Sequence, residues 1–150
     1  MKLCDSAGNG PVTTSGESIM NAARPYLNLL GRIFIGAIFL FAGISKISGY
    51  TATGGYMEAM GVPALLLPLV IALELGGAAA IILGWKTRIA AFLLAGFSVL
   101  SALLFHFDLA DQNQFIMFWK NIAIAGGFLF LVANGAGALA LDNRASQAAP

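Results

Sequence analysis

Four long apolar runs constrain this chain more than any other feature: Leu27–Ile47, Pro63–Gly84, Arg88–Phe107 and Phe115–Asn134. Each approaches or exceeds the ~20 residues that carry an α-helix across a bilayer. None alternates polar and apolar side chains as a membrane barrel strand must. Helix-breaking and polar residues separate them: Ser48-Gly49-Tyr50 with Gly54-Gly55, then Gly84-Trp85-Lys86-Thr87, then Asp108 to Gln114. The second and third connections are short enough that the chain must turn straight back. The expected fold is therefore all-α, an integral membrane bundle of four antiparallel helices.

Composition points the same way. Of 150 residues, 59% are hydrophobic and 10% charged, against roughly 25% charged in an ordinary soluble domain. Eight Lys and Arg with seven Asp and Glu cannot disperse a soluble globule of this size. A disordered chain would not carry so much apolar surface. A net charge of +1 leaves no footprint for nucleic acid. The surrounding medium is the lipid bilayer.

Basic residues set an expected orientation. Lys2 and Arg24 precede the first run, Lys86 and Arg88 lie at the second connection, and Arg144 follows the last run. The first and third connections hold Lys46 at most, together with Glu58, Asp108 and Asp111. Basic loops stay cytoplasmic, which places both termini inside. Residues 1–25, rich in Gly, Ser, Thr and Asn, read as a flexible cytosolic tail. Residues 26–142 form the four-helix domain and residues 143–150 a short C-terminal tail. No apolar stretch follows Lys2 before Gly8, so the start does not read as a signal peptide, and Cys4 reads as an exposed, inert thiol. Tyr56 to Pro63 reads as a short interfacial helix ahead of the second span.

A few ionisable residues interrupt the apolar runs: Arg32 in the first, Glu74 near the middle of the second, His106 at the outer end of the third, and Lys120, followed by Asn121, in the fourth. A charge near the bilayer centre costs about 2.5–3.5 kcal/mol, so such groups face the bundle and seek partners. At helical spacing, Arg32 shares a face with Gly36, Phe39, Gly43 and Lys46. Lys120 shares one with Ala123, Gly127 and Asn134. Gly77 and Ala78 follow Glu74 by one turn, and His106 aligns with Ala102, Val99 and Ala95. Gly36, Gly43, Gly76, Gly77 and Gly127 are the expected packing positions, because close helix approach needs small residues. The Gly76, Ala80, Gly84 stripe is a candidate contact with a second copy.

Counting depth from the outer ends of the spans predicts an Arg32–Glu74 pair, with Lys46, His106 and Lys120 clustered above it. Two readings follow. In one the pair is a structural clasp, and Lys46 and Lys120 snorkel to the interface. In the other, Arg32, Lys46, Glu74, His106, Lys120 and Asn121 line a polar pocket, open to the outer side, for an anionic or quinone-like ligand. Pro68 is expected to kink the second span one turn before Glu74. Trp85 and Trp119 read as interfacial anchors.

Several kinds of chemistry lack their parts. One cysteine cannot make a dithiol relay within the chain. One histidine cannot make bis-His haem ligation, and no Cys/His cluster suggests a metal. Neither a phosphate-cradling glycine loop nor a nucleophile elbow is present. No residue is assigned a catalytic role, and no resident cofactor is evident apart from a candidate quinone.

Taken in order, Leu30-Gly31-Arg32 with Phe41-Ala42-Gly43-Ile44-Ser45-Lys46 resembles the first-helix signature of the DoxX family of small bacterial inner-membrane proteins. Leu73-Glu74-Leu75-Gly76-Gly77, with Gly84 and Thr87-Arg88, resembles its second-helix segment. Phe118 to Ala123, Gly126-Gly127, Gly135 to Leu139 and Leu141-Asp142 resemble its last helix and tail. The resemblance implies a four-helix protein of the bacterial inner membrane. It also implies an association with oxidoreductases, since the family is named for a subunit associated with a thiosulfate:quinone oxidoreductase and other members are linked to oxidative or thiol stress. Arg32, Lys46, Glu74, His106, Lys120 and Asn121 match its polar positions.

Three functional readings follow: a quinone-interacting or accessory subunit working with a redox enzyme partner, a small oligomeric carrier for a metabolite or anion, and a scaffold for a partner protein. The topology is tested in a Cys4→Ser background by single cysteines. Ala52→Cys and Asp111→Cys are expected to react with an impermeant thiol reagent from outside, and Lys86→Cys only from inside. The reverse pattern would overturn the orientation.

Overall fold

The computed structural model describes residues 15–143. Its helices are α1 (Ser15–Ser48), α2 (Tyr50–Ala59), α3 (Leu67–Leu83), α4 (Thr87–Phe105) and α5 (Gln112–Asn134), with a single 3-10 turn, Ala64–Leu66, leading into α3. Among the described residues there are four helices long and apolar enough to cross a membrane: α1, α3 with its leading turn, α4 and α5. Lys2, Cys4 and Arg144 lie outside the described residues, as do the outer parts of both expected tails.

The first span is longer than expected. α1 has 34 residues, or ~51 Å at 1.5 Å per residue, against ~30 Å of hydrocarbon. Residues 15–25, read from composition as part of a flexible tail, are its first turns. The helix continues through Pro25, whose missing N–H removes one rung of the ladder.

The first connection is also helical from its start. α2 runs through Gly54-Gly55 and ends at Ala59, so the short helix expected at Tyr56 to Pro63 begins and ends earlier. Gly54 is buried beneath Ala64, where a Cβ would stand 3.4 Å from the alanine methyl. Packing against the 3-10 turn outweighs the intrinsic helix cost of glycine, about 1 kcal/mol. Gly61, at φ +77°, then ends the segment. Pro68 falls in the first turn of α3, where its absent N–H would have no helical partner. It opens the helix and does not kink it.

The chain packs α1 on α3, α3 on α4 and α4 on α5, while α1 and α5 meet through a few side chains and their backbones stay apart. Small residues line these contacts: Ala78, Ala91, Ala95, Ala102 and Ala125 are buried. Gly36 lies against Ile82 and Ala78, Gly43 against Leu75 and Glu74, Gly77 against Leu94, and Gly127 against Ile35. At Gly36, Gly43 and Gly77 the missing side chain lets the helices close up, and at Gly127 the end of the Ile35 side chain fills the space. Gly76 is different. It faces open space, while Ala80 and Gly84 are buried within the chain. The three do not form a free stripe.

Arg32, Gly36, Phe39 and Gly43 share the buried face of α1, with Lys46 at its end. Phe39 meets Phe128 of α5 with ring centroids 5.4 Å apart and Phe97 of α4 at 6.4 Å. These rings fill the middle of the bundle. Large apolar side chains such as Phe34, Phe41, Phe92 and Phe130 point outward, as a protein solvated by lipid requires.

Candidate functional site

Near the end of the bundle where α1 stops lies a cavity of about 430 Å³. Leu69, Val70 and Leu73 of α3 and Phe97, Leu100 and Leu104 of α4 make its apolar walls. α2 supplies Thr53, Tyr56 and Met57. Tyr56 stacks on Phe105 at 5.7 Å, and its hydroxyl donates to the Phe105 carbonyl at 3.4 Å, so α2 is fastened to the end of α4. Lys46, Glu74 and His106 also reach the cavity.

Lys46 and Glu74 form the only ion pair among the described residues, Nζ to Oε1 at 2.8 Å. Glu74 is buried and Lys46 partly so. The second carboxylate oxygen, Oε2, is buried without a hydrogen-bond partner. Such an acceptor in an apolar wall is costly unless a donor meets it. His106 is held by its Nδ1 against Oε1 of Gln114, at 2.8 Å, across the connection from α4 to α5.

The expected Arg32–Glu74 pair is absent, and the cause is register. The depth count set Pro63 level with Ile47. The residues around Ala64 instead pack beside α2, past the end of α1, which brings Glu74 level with Lys46. Arg32 lies several turns away, fully buried. It donates through Nη1 to the carbonyls of Ile81 (3.4 Å) and Ile82 (3.3 Å), and through Nη2 to the carbonyl of Leu139. The first two belong to the last turn of α3, where unpaired carbonyls and the helix dipole favour a cation.

Two other expected members lie elsewhere. Lys120 is exposed on α5, and its Nζ turns back towards Met117 Sδ at 2.9 Å. Helical side chains lean towards the N-terminus, and here that direction leads a long cation to the end of the span. Asn121 donates to the Met117 carbonyl at 2.9 Å. Ala123 and Asn134 are exposed as well, while Ala125 and Phe128 make the buried face of α5. Of the stripe read on the fourth span, Lys120, Ala123 and Asn134 are exposed and only Gly127 packs inward, against Ile35. Lys46, Glu74 and His106 line one cavity; Arg32, Lys120 and Asn121 stand apart from it.

Arg32 belongs to a second construction that sequence reasoning missed. After α5 the chain turns back through Gly135 and Gly137, both at positive φ, and lays Leu139, Ala140 and Asp142 against the α3–α4 turn. Asp142 accepts the backbone N–H of Lys86 at 2.6 Å and of Thr87 at 2.9 Å, capping α4 from far along the chain. Its own N–H donates to the Gly84 carbonyl at 2.8 Å. Gly84 is left-handed at φ +72°, and a Cβ there would overlap both Arg32 and Ala140. Lys86, at φ 45°, holds a conformation unfavourable for a side-chain-bearing residue, and its bond to Asp142 secures it. Two of the quoted sequence motifs, Gly84 to Arg88 and Gly135 to Asp142, are therefore two halves of one latch.

Among the described residues no cluster of three or more His, Cys, Asp or Glu side chains could hold a metal ion. The class so defined is a four-helix integral membrane protein with an ion pair set into the wall of an apolar cavity. The DoxX family profile matches residues 27–107, and the chain belongs to that family. It is 50% identical over 114 residues to Inner membrane protein YqjF of Escherichia coli (strain K12), covering 76% of this chain and 88% of that one. Inner membrane protein YphA of the same organism is 39% identical, over 82% of this chain and 93% of its own. A more distant relative, "Putative oxidoreductase CatD" of Bacillus subtilis (strain 168), is 33% identical over 51% of this chain and 57% of its own. No solved structure gives a significant match.

The latch is open to test. Burial opposes ionisation of Asp142, but bonds from Thr87 and Lys86 and the nearby charge of Arg32 outweigh it and hold the carboxyl below its ordinary value. A depressed carboxylate stabilises the fold above its unfolded pKa of ~3.9 and loses that contribution as pH falls through the folded value. Asp142→Asn, which leaves one of the two amides without its acceptor, is expected to cost about 1 kcal/mol at pH 7, the net scale of one hydrogen bond. Thermal melts in detergent should show that gap closing below about pH 4. A gap that persists in acid would contradict the assignment.

Proposed function

We propose that this protein is a quinone-interacting or accessory membrane subunit of an oxidoreductase system, with residues 26–142 as its working unit and both termini in the cytoplasm. One observation carries this reading: the cavity of about 430 Å³ between α2, α3 and α4 is apolar on most sides and charged on one. That volume lies in the range of small-molecule sites, which are largely apolar with a few polar groups that fix orientation. A quinone ring with its isoprenoid chain has the same division of character. The Lys46 ammonium is a donor for a ring oxygen, and the Glu74 carboxylate, which lines the cavity, is an acceptor for the hydroxyl of the reduced form. His106, fixed by Gln114, stands where the cavity meets the α4–α5 connection. When bound, a quinone supplies two-electron, two-proton redox chemistry. This chain contributes orientation, exclusion of water and a carboxylate within reach. The electrons come from or go to a redox enzyme partner, which agrees with the name of the CatD relative.

The carrier reading has less support, because the buried rings of Phe39 and Phe128 fill the bundle between this cavity and the far end. The test is gentle purification from native membrane with mass spectrometry of co-purifying lipophiles and proteins, followed by quinone titration of the wild type and Glu74→Gln. A co-purifying quinone and about tenfold weaker binding by the variant are expected, the scale of one bond to a charged group. Equal affinities would overturn the role of Glu74. Absence of any bound quinone, together with solute uptake into liposomes, would overturn the reading in favour of a carrier.

A further inference from the structure

At the opposite end of the bundle, where α1 and α5 part, a groove of about 650 Å³ runs between them and beneath the returning C-terminal segment. Its charged side chains lie nearer the chain end and its larger apolar ones mostly deeper, although Pro25 and Leu27 also line the outer part. Towards the bundle centre lie Ile35, Phe130 and Leu131; towards the chain end lie Arg24 and Asn28; Arg32 lines the groove between them. From Arg24 to Ile35 the helix rises ~16 Å, about the reach from the headgroup region into the hydrocarbon of one leaflet.

The groove is short of negative charge. Among the described residues neither Arg24 nor Arg32 pairs with a carboxylate. Arg32 is wholly buried, rests on three carbonyl oxygens, and has an Nε–H with no hydrogen-bond partner. Asp142, which feels the Arg32 charge, spends its oxygens on the Lys86 and Thr87 amides and lies in the neighbouring recess, outside the groove. Glu17, the other acid at this end among the described residues, does not line it either. Arg24 is exposed at the mouth. The exposed Trp85, with Lys86 5.4 Å from its ring, marks the same end as interfacial.

We propose that this groove binds an anionic phospholipid, its phosphate at Arg24 and Asn28 in the field of Arg32, and an acyl chain along Ile35 and Phe130. A cation buried at the floor of a lipid-facing cleft attracts a fixed anion, and the apolar upper wall selects one that carries a hydrocarbon chain. This site is separate from the cavity at Lys46 and Glu74 and does not depend on what that cavity holds.

The test is lipid binding to delipidated full-length protein in a neutral detergent, by native mass spectrometry and thermal shift. The probes are phosphatidylglycerol, phosphatidylethanolamine and inorganic phosphate. Phosphatidylglycerol is expected to bind about fivefold more tightly than phosphatidylethanolamine, the scale of one basic residue near an anionic headgroup. Arg24→Gln should reduce that preference to less than twofold. Lys120→Gln, which removes an exposed cation at the other end, should leave it intact and controls for net charge. Equal binding of the two lipids would overturn the proposal, as would an undiminished preference in Arg24→Gln. So would stabilisation by inorganic phosphate to which phosphatidylglycerol adds nothing.

Discussion

A carboxylate and an ammonium held 2.8 Å apart inside an apolar bundle organise one end of this protein. The buried Glu74 carboxylate is not tolerable there alone, since an isolated charge in a low-dielectric interior costs several kcal/mol after relaxation. Pairing recovers much of that cost, but it requires α1 and α3 to stand at a fixed height. The register is set by Gly43, which lets the helix backbones close beside Glu74, and by the α2 segment, which lifts the start of α3 past the end of α1. The cavity exists because α2 bridges from α1 to α4 and roofs the space above the pair.

The other end meets the same constraint with a different device. Arg32 has no carboxylate partner among the described residues and is surrounded by carbonyl oxygens, two at the negative end of α3 and one from the returning C-terminal segment. Asp142 completes the construction by capping α4. One end thus holds an ion pair with an unused acceptor beside a cavity, and the other a buried cation beside a groove. The rings of Phe39, Phe97 and Phe128 separate them.

Much of the fold was legible in the sequence because bilayer length and apolar composition leave few alternatives to four spans. The buried face of α1 was legible too, since Arg32, Gly36, Phe39 and Gly43 repeat at helical spacing and all are buried. Pairing across helices was harder to read. It depends on vertical register, and counting from span ends could not foresee that the turn at Ala64 packs beside α2. Lys120 misled for a related reason: a cation within an apolar run satisfies itself either inward or along its own helix to the interface, and periodicity does not distinguish these. Asp142 stood in a quoted motif, but its partners, Lys86 and Thr87, are brought to it only by the folded chain.

The central claim is that the Lys46–Glu74 pair equips a binding cavity and is more than a clasp. The direct measurement is the double variant Lys46→Met/Glu74→Leu, assayed for thermal stability and quinone affinity. Replacing both ions with apolar groups of similar size removes the desolvation cost along with the attraction, so stability should stay within about 1 kcal/mol of wild type or rise. Quinone binding is predicted to fall at least tenfold in the same protein. A folded, stable double variant that binds quinone as tightly as the wild type would contradict the account.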